Sequence, residues 1–407
     1  MTALTPNLSA KLANTIYQII NYHNINDMKV FLARELSSIV SKDSLEIGLG
    51  KTGTLRILKS QTAFAFAAQG KGPLNTHGFF VFRGTEKSYK SDWLTNANNS
   101  TFGRSAYEKA VHDGFSRTFK TIKPQFKETL KAMQASGVAT IHCIGHSLGG
   151  ALASLCAEDI HRYSPYEPYL YTFGAPRIGL SAFANHLTNI TMNKNFRVHH
   201  RTDIVPLVPY WPYCHAPTGG QAKQHDYLLP SPGEYASADW HDMGLYARSV
   251  KGATWTSLAK KQHVPANDHV AKRWLDQKGI FAFTPTNLRW LDNAFNFVLK
   301  LLTNTVAFGL NTLVMQLHNV GNTALSMFDT MAYILYKGIN LTDSASQWVF
   351  KLICRMMEML GMQPVSDQLK ISQALIRSLF MQINQRARII AQRAIDQVLV
   401  NGKAVSS

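Results

Sequence analysis

The chain has 407 residues, 45% hydrophobic and 16% charged, which gives enough apolar side chains for a large core and excludes a disordered chain. Its 42 Lys and Arg against 25 Asp and Glu give a formal charge of +17, a field that gathers anionic partners. No zinc-finger spacing, RNA-binding aromatic signature or basic zipper accompanies that charge, so the expected partner is an anionic membrane surface and not nucleic acid; each basic side chain held near lipid headgroups contributes about 1 kcal/mol.

From residue 7 to about 40, Leu12, Ile16, Ile19 and Ile20 recur at helical spacing and predict one or two opening helices packed on a sheet. The first twenty residues lack the basic start, unbroken apolar stretch and small-residue cleavage site of a secretory signal, so a cytoplasmic site or a specialised export route is expected. Two strand-like runs, TAFAFAA and GFFVFRG, follow, separated by the glycine-rich QGKGPLNTHG. A helix is predicted from Tyr107 to about Ser136, then the strand-like VATIHCI, a sharp turn at Gly145 and a second helix from Leu148 to His161. PYLYTFG, SAFANHLTNI and FRVHH continue the alternation, which predicts a largely parallel sheet covered by helices.

After about Gly279 strand signals fade and helical periodicity runs to Val400, placing a domain boundary near 284–286 and dividing the chain into units over 1–284 and 285–407. Residues 301–328 carry no charged side chain, but Asn, Gln and His interrupt the apolar residues too often for a membrane span, so an amphipathic stretch is expected. Ile376, Phe380, Ile383, Ala387, Ile390 and Ala394 form a stripe flanked by arginines, the pattern of a helix packed on another helix, on a membrane surface or on a protein partner. The four cysteines, Cys143, Cys156, Cys214 and Cys354, form no CxxC pair, which argues against a metal cluster or a disulfide framework.

The segment IHCIGHSLGGALASLCAE carries Gly145, His146, Ser147, Leu148 and Gly149 in the G-x-S-x-G pattern of a nucleophile elbow. A β-branched run before it and a small-residue helix former after it supply the strand–turn–helix context that the pattern needs. The flanking glycines allow a strained turn, and the serine hydroxyl then stands at a helix N-terminus, where developing negative charge is favoured. A hydroxyl is a poor nucleophile without a base, and the base needs an orienting carboxylate. Asp203, just past the strand-like FRVHH, is placed where a parallel sheet presents its functional loops. His215, His225, His241, His263 and His269 all follow it, and spacing alone does not choose among them.

GHSLGGALA, YTFGAPRIG and FRGT, in that combination, resemble the class 3 lipase family of fungal lipases and plant phospholipases, over about residues 78–246. The resemblance implies an α/β-hydrolase fold with a Ser-Asp-His triad in that chain order, and glycerolipid esters as substrates. On the positions that match, it implies Ser147, Asp203 and His241 as the triad, His241 chosen by the motif WHDMGLY, with His215 similar to a second, structural histidine. It implies Thr85 of FRGT and Leu148 as oxyanion-hole donors, Arg83 holding that loop, and a lid over 86–99 offering Tyr89, Trp93 and Leu94. The aromatic segment 205–214 is expected either to line the acyl pocket or to be an ordinary loop.

The expected function is therefore a phospholipase releasing fatty acid from glycerophospholipids, with a triacylglycerol lipase or carboxylesterase as the alternative and an inactive lipid- or protein-binding module as the remaining one. No metal or cofactor is required by this chemistry. A bacterial effector with an inhibitor or export partner at the helical tail is an expectation by analogy alone.

Overall fold

The structure, a computed structural model, describes residues 3–51, 61–84, 102–210, 212–218, 225–260, 268–304, 327–341 and 344–404. Helices α1 (Pro6–Thr15) and α2 (Ile25–Glu35) open the chain; Thr5 and Asn24 cap them by accepting from the N–H groups of Leu8 and Asp27. Strands β1 (Glu46–Lys51), β2 (Gln61–Gln69) and β3 (His77–Phe82) form an antiparallel meander. From β3 onward the sheet is parallel, through β6 (Thr140–His146), β7 (Tyr169–Phe173), β8 (Asn195–His200) and β9 (Asp226–Leu229). A small hairpin of β4 (Phe102–Arg104) and β5 (Ala110–His112) stands apart.

Strand β3 shows how the two layers form. Phe79 and Val81 face a cluster containing Leu12, Ile16, Ile19 and Phe31 of the opening segment, whereas Phe80 and Phe82 face helices α3 (Asp113–Ala135) and α4 (Leu148–Tyr163) through Phe126, Leu152 and Ile160. Alternate residues point to opposite faces, and both faces are covered, so the strand reads as one continuous apolar run. Helices α5 (Ser181–Thr191), α6 (Met243–Ser249) and α7 (Trp255–Ala259) complete the covering layers. This is the α/β-hydrolase arrangement, as the sequence motifs imply.

Helix α3 begins at Asp113, six residues after the expected start at Tyr107, because Phe102–Arg104 pairs with 110–112 and draws those residues into the hairpin. The remaining helices are α8 (Asp268–Asp276), α9 (Pro285–Asn304), α10 (Met327–Ile339), α11 (Ser344–Met359) and α12 (Gln373–Ala404). Most of the expected amphipathic stretch over 301–328 lies outside the described residues. On α12, Ile376, Phe380, Ile383, Ala387 and Ala394 are buried and Ile390 is half-buried, in the same apolar cluster as Leu288, Leu291 and Phe295 of α9. That stripe is occupied by helix packing. The cluster continues without a break to the α3–α4 face of the sheet.

Among the described residues no helix is long and apolar enough to cross a membrane. All four cysteines are free thiols. Truncating Ile383, which is 0% exposed, to alanine should lower the unfolding free energy by about 2–5 kcal/mol through lost burial and a residual cavity, measured by urea denaturation.

Candidate active site

Ser147 joins β6 to α4 with φ 55° and ψ −132°, a backbone conformation that a non-glycine residue adopts only when its surroundings impose it. The imposition comes from close packing. A Cβ on Gly145 would lie 2.1 Å from the carbonyl oxygen of Gly149, and one on Gly149 would lie 2.3 Å from that of Phe82. Only glycine at both positions lets β3, β6 and α4 approach this closely. Leu148, the first residue of α4 and the residue after Ser147, has an N–H with no partner inside the helix.

Two further elements converge there. Asp203 follows β8 in a tight turn, its Oδ1 accepting from the N–H of Val205 at 2.9 Å. His241 ends a short 3-10 turn (Asp239–His241) immediately before α6, which is capped by Asp242. His241 Nε2 lies 2.9 Å from Ser147 Oγ, and His241 Nδ1 lies 2.9 Å from Asp203 Oδ2. Asp203 is 0% exposed and His241 2%, and Tyr246 donates its hydroxyl to Asp203 Oδ2 at 2.7 Å. With an ionised Asp203, the histidine carries its proton on Nδ1 and leaves Nε2 free to accept from the serine.

The sequence left five histidines open on spacing, and the structure brings only His241 to Ser147 among the described ones. His215 turns its Nε2 to the carbonyl of Pro206, and His225 bonds Tyr227 at 3.0 Å; His263 lies outside the described residues. Thr85 and the lid positions Tyr89, Trp93 and Leu94 lie outside them too. Arg83 donates to the carbonyl of Gly84 at 3.0 Å; the loop it was expected to hold lies outside the described residues. In the segment 205–214, Val205, Leu207, Val208, Tyr210 and Tyr213 are buried.

The sequence reading gave no role to Tyr17 or to the ring of His146. Tyr17, in the turn after α1, accepts from the N–H of Gly84 at 2.8 Å and donates to His146 Nδ1 at 2.6 Å. The other ring nitrogen of His146 then donates to the carbonyl of His241 at 2.8 Å. One hydroxyl from the N-terminal segment thus ties the β3 exit, the elbow and the histidine turn together. Burial foremost holds the His146 pKa well below the usual imidazole value, consistent with the neutral ring this pattern requires. Such a chain of contacts has no local sequence signature, since its members lie more than 60 residues apart.

Residues 79–213 match the family described as Lipase (class 3). A secreted mono- and diacylglycerol lipase of Fusarium solani is 33% identical over 124 residues, covering 29% of this chain and 35% of that one. A lipase of Rhizomucor miehei is 31% identical over 170 residues, covering 39% and 45%. Lipase II of Rhizopus niveus, a solved structure, aligns with a TM-score of 0.40 at 20% identity, covering 56% of this chain and 79% of that one. The chain thus spans between a third and a half of the length of these two curated relatives.

Four other histidines share the electrostatic situation of His146: His112, His142 and His199, which are buried, and His215, which is half-buried. Burial, the first cause in each case, lowers His112 and His199 to about 4 and His142 to about 3, and holds His146 and His215 well below 6.5. A depressed folded-state pKa means that the unfolded chain takes up protons first as pH falls. The associated stability is therefore complete above pH 6.5 and is lost progressively from there toward pH 4, at roughly 1.4 kcal/mol per pH unit for each histidine kept neutral. Urea unfolding at pH 7.5 and pH 5 should show the loss, and His142→Phe should make the slope shallower.

Proposed function

We propose, on the match of residues 79–213 to the family described as Lipase (class 3), that the protein is a carboxylic-ester hydrolase acting on glycerolipids. The observation that carries this is the hydrogen-bonded series Ser147, His241, Asp203 at an elbow whose backbone is strained. In this reading Ser147 Oγ attacks the acyl carbonyl carbon while His241 Nε2 takes the hydroxyl proton, and Asp203 stabilises the resulting imidazolium. The N–H of Leu148, with that of Thr85, stabilises the oxyanion; each such donor typically lowers the barrier by about 3–4 kcal/mol. The imidazolium then gives its proton to the departing glycerol oxygen as the carbon–oxygen bond breaks. Water, deprotonated by the same histidine, releases the fatty acid and restores the serine.

The formal charge of +17 favours anionic phospholipid, because a basic surface concentrates its headgroups. The names of the relatives favour mono- and diacylglycerols as the second reading. Peripheral attachment to an anionic membrane fits either substrate. We assign the chemistry to the unit over 1–284 and treat 285–407 as an added helical region. Its α12 stripe is taken up by packing, so any inhibitor, export partner or membrane would meet its polar, arginine-bearing face. An inactive binding module finds no support in a triad whose three members are all in hydrogen-bond contact.

The test uses wild type and Ser147→Ala on phosphatidylglycerol vesicles and on diacylglycerol emulsions, with fatty-acid release as the readout. Wild type should release fatty acid from at least one of the two, faster from the anionic vesicles, and the variant should lose at least about 10³-fold. Equal release by the variant would remove Ser147 from the mechanism; release from the emulsion alone would leave the ester-hydrolase reading in place and make the acylglycerol the substrate.

A further inference from the structure

The loop that carries Asp203 is held on its outer side by the helical region. Arg289, near the start of α9, donates from Nη1 to the carbonyl of Arg201 at 2.6 Å and from Nη2 to the carbonyl of His200 at 3.2 Å. Asp292, on the next turn, forms an ion pair with Arg177, whose backbone N–H bonds the carbonyl of Val208 at 2.9 Å. Tyr210 donates its hydroxyl to the carbonyl of Leu288 at 3.2 Å and its N–H to Asn384 Oδ1 of α12 at 3.1 Å. Residues 200–210, with Asp203 among them, are therefore gripped by side chains and carbonyls from more than 75 positions along the chain.

Arg289 is a costly group to bury. Its guanidinium is desolvated and repelled by Arg197, which together push it down to about 10, while Asp203, Tyr246 and Asp226 attract it. Its Nε is buried without a hydrogen-bond partner among the described residues. An apolar side chain of similar length would fill that space at lower cost, since buried charges seldom stabilise a fold as well as hydrocarbon does. What the guanidinium supplies and hydrocarbon does not is a planar fork onto two carbonyls and a positive potential toward Asp203.

We propose that Arg289 is a positioning residue for the hydrolysis: it fixes, through the carbonyls of His200 and Arg201, where Asp203 presents its carboxylate to His241, and it sets a positive charge behind that loop. The inference rests on the hydrolase reading and extends the working site into the helical region, beyond the matched residues 79–213. The titratable groups facing the Asp203–His241 pair are Tyr246, His200 and His146, with Arg289 behind the loop and Arg197 and Asp226 beside it.

Loss of a nearby positive charge moves the acid limb of a rate profile that depends on a neutral base to higher pH. The experiment follows the full-length protein and its Arg289→Met, Arg289→Gln and Arg289→Lys variants on a short-chain soluble ester by pH-stat, with thermal melting alongside. Arg289→Met should lower kcat about tenfold at unchanged KM and shift the acid limb of kcat upward by about half a pH unit or more. Arg289→Gln, which keeps a donor for the carbonyls and drops the charge, should show the same shift and covers the case in which the methionine variant does not fold. Arg289→Lys should keep the limb in place with a reduced kcat. Variants that melt lower while keeping wild-type kcat and an unshifted limb would overturn the inference and leave Arg289 a purely structural contact. An inactive wild type would instead remove the hydrolase reading, and this inference with it.

Discussion

The conformation of Ser147 is the constraint on which the rest of the structure depends. A positive φ at a side-chain-bearing residue costs on the order of 1–3 kcal/mol and persists only where the surroundings leave no alternative. Here they are the parallel sheet on one side and α4 on the other, brought within contact distance because Gly145 and Gly149 have no side chains. The turn raises the hydroxyl above the carboxyl ends of the strands, where loops from β8 and from the segment before α6 can reach it. A methyl group at either glycine would push the strand and helix apart and move the Ser147 hydroxyl away from His241.

The surroundings of that serine are polar and buried. Tyr17, His146, His200 and Tyr246 are packed around His241 and Asp203, each bonded to another member or to a backbone carbonyl. A low-dielectric site strengthens every contact it satisfies and penalises every one it leaves open. The network therefore fixes the tautomers: Tyr17 can donate to only one nitrogen of His146, so the other must carry the proton. The same burial that orients these rings makes the fold sensitive to acid, so the geometry of the site and the pH range of the protein share one physical cause.

The elbow was legible in the sequence because its requirement is local: two glycines, a serine, a strand before and a helix after. The alternation of strands and helices was legible for the same reason, and so was the stripe on α12, whose spacing repeats on one helical face. The hairpin of β4 and β5 was not, since strands of three residues are too short to show a period of two and sit where a helical pattern could be extended backwards. The choice of His241 over the other histidines rested on a resemblance and not on spacing. Tyr17 and Arg289 carried no signal at all. Their partners lie 67 and 88 or 89 positions away, and a single polar contact across such a separation leaves no periodic trace.

The helical region illustrates the same limit. Periodicity identifies its helices and the buried face of each, but not that α9 and α12 present Arg289, Asp292 and Asn384 to the loop bearing Asp203. Apolar packing brings these helices to the sheet; the polar contacts at their ends then fix where one particular loop sits.

The central claim, that Ser147 is a nucleophile activated by His241 within the folded chain, is tested most directly by treating the native protein with a fluorophosphonate and locating the label by mass spectrometry. The account predicts a single label on the peptide carrying Ser147, absent from denatured protein and from His241→Ala. Labelling that persists without His241, or that falls on another residue, would contradict it.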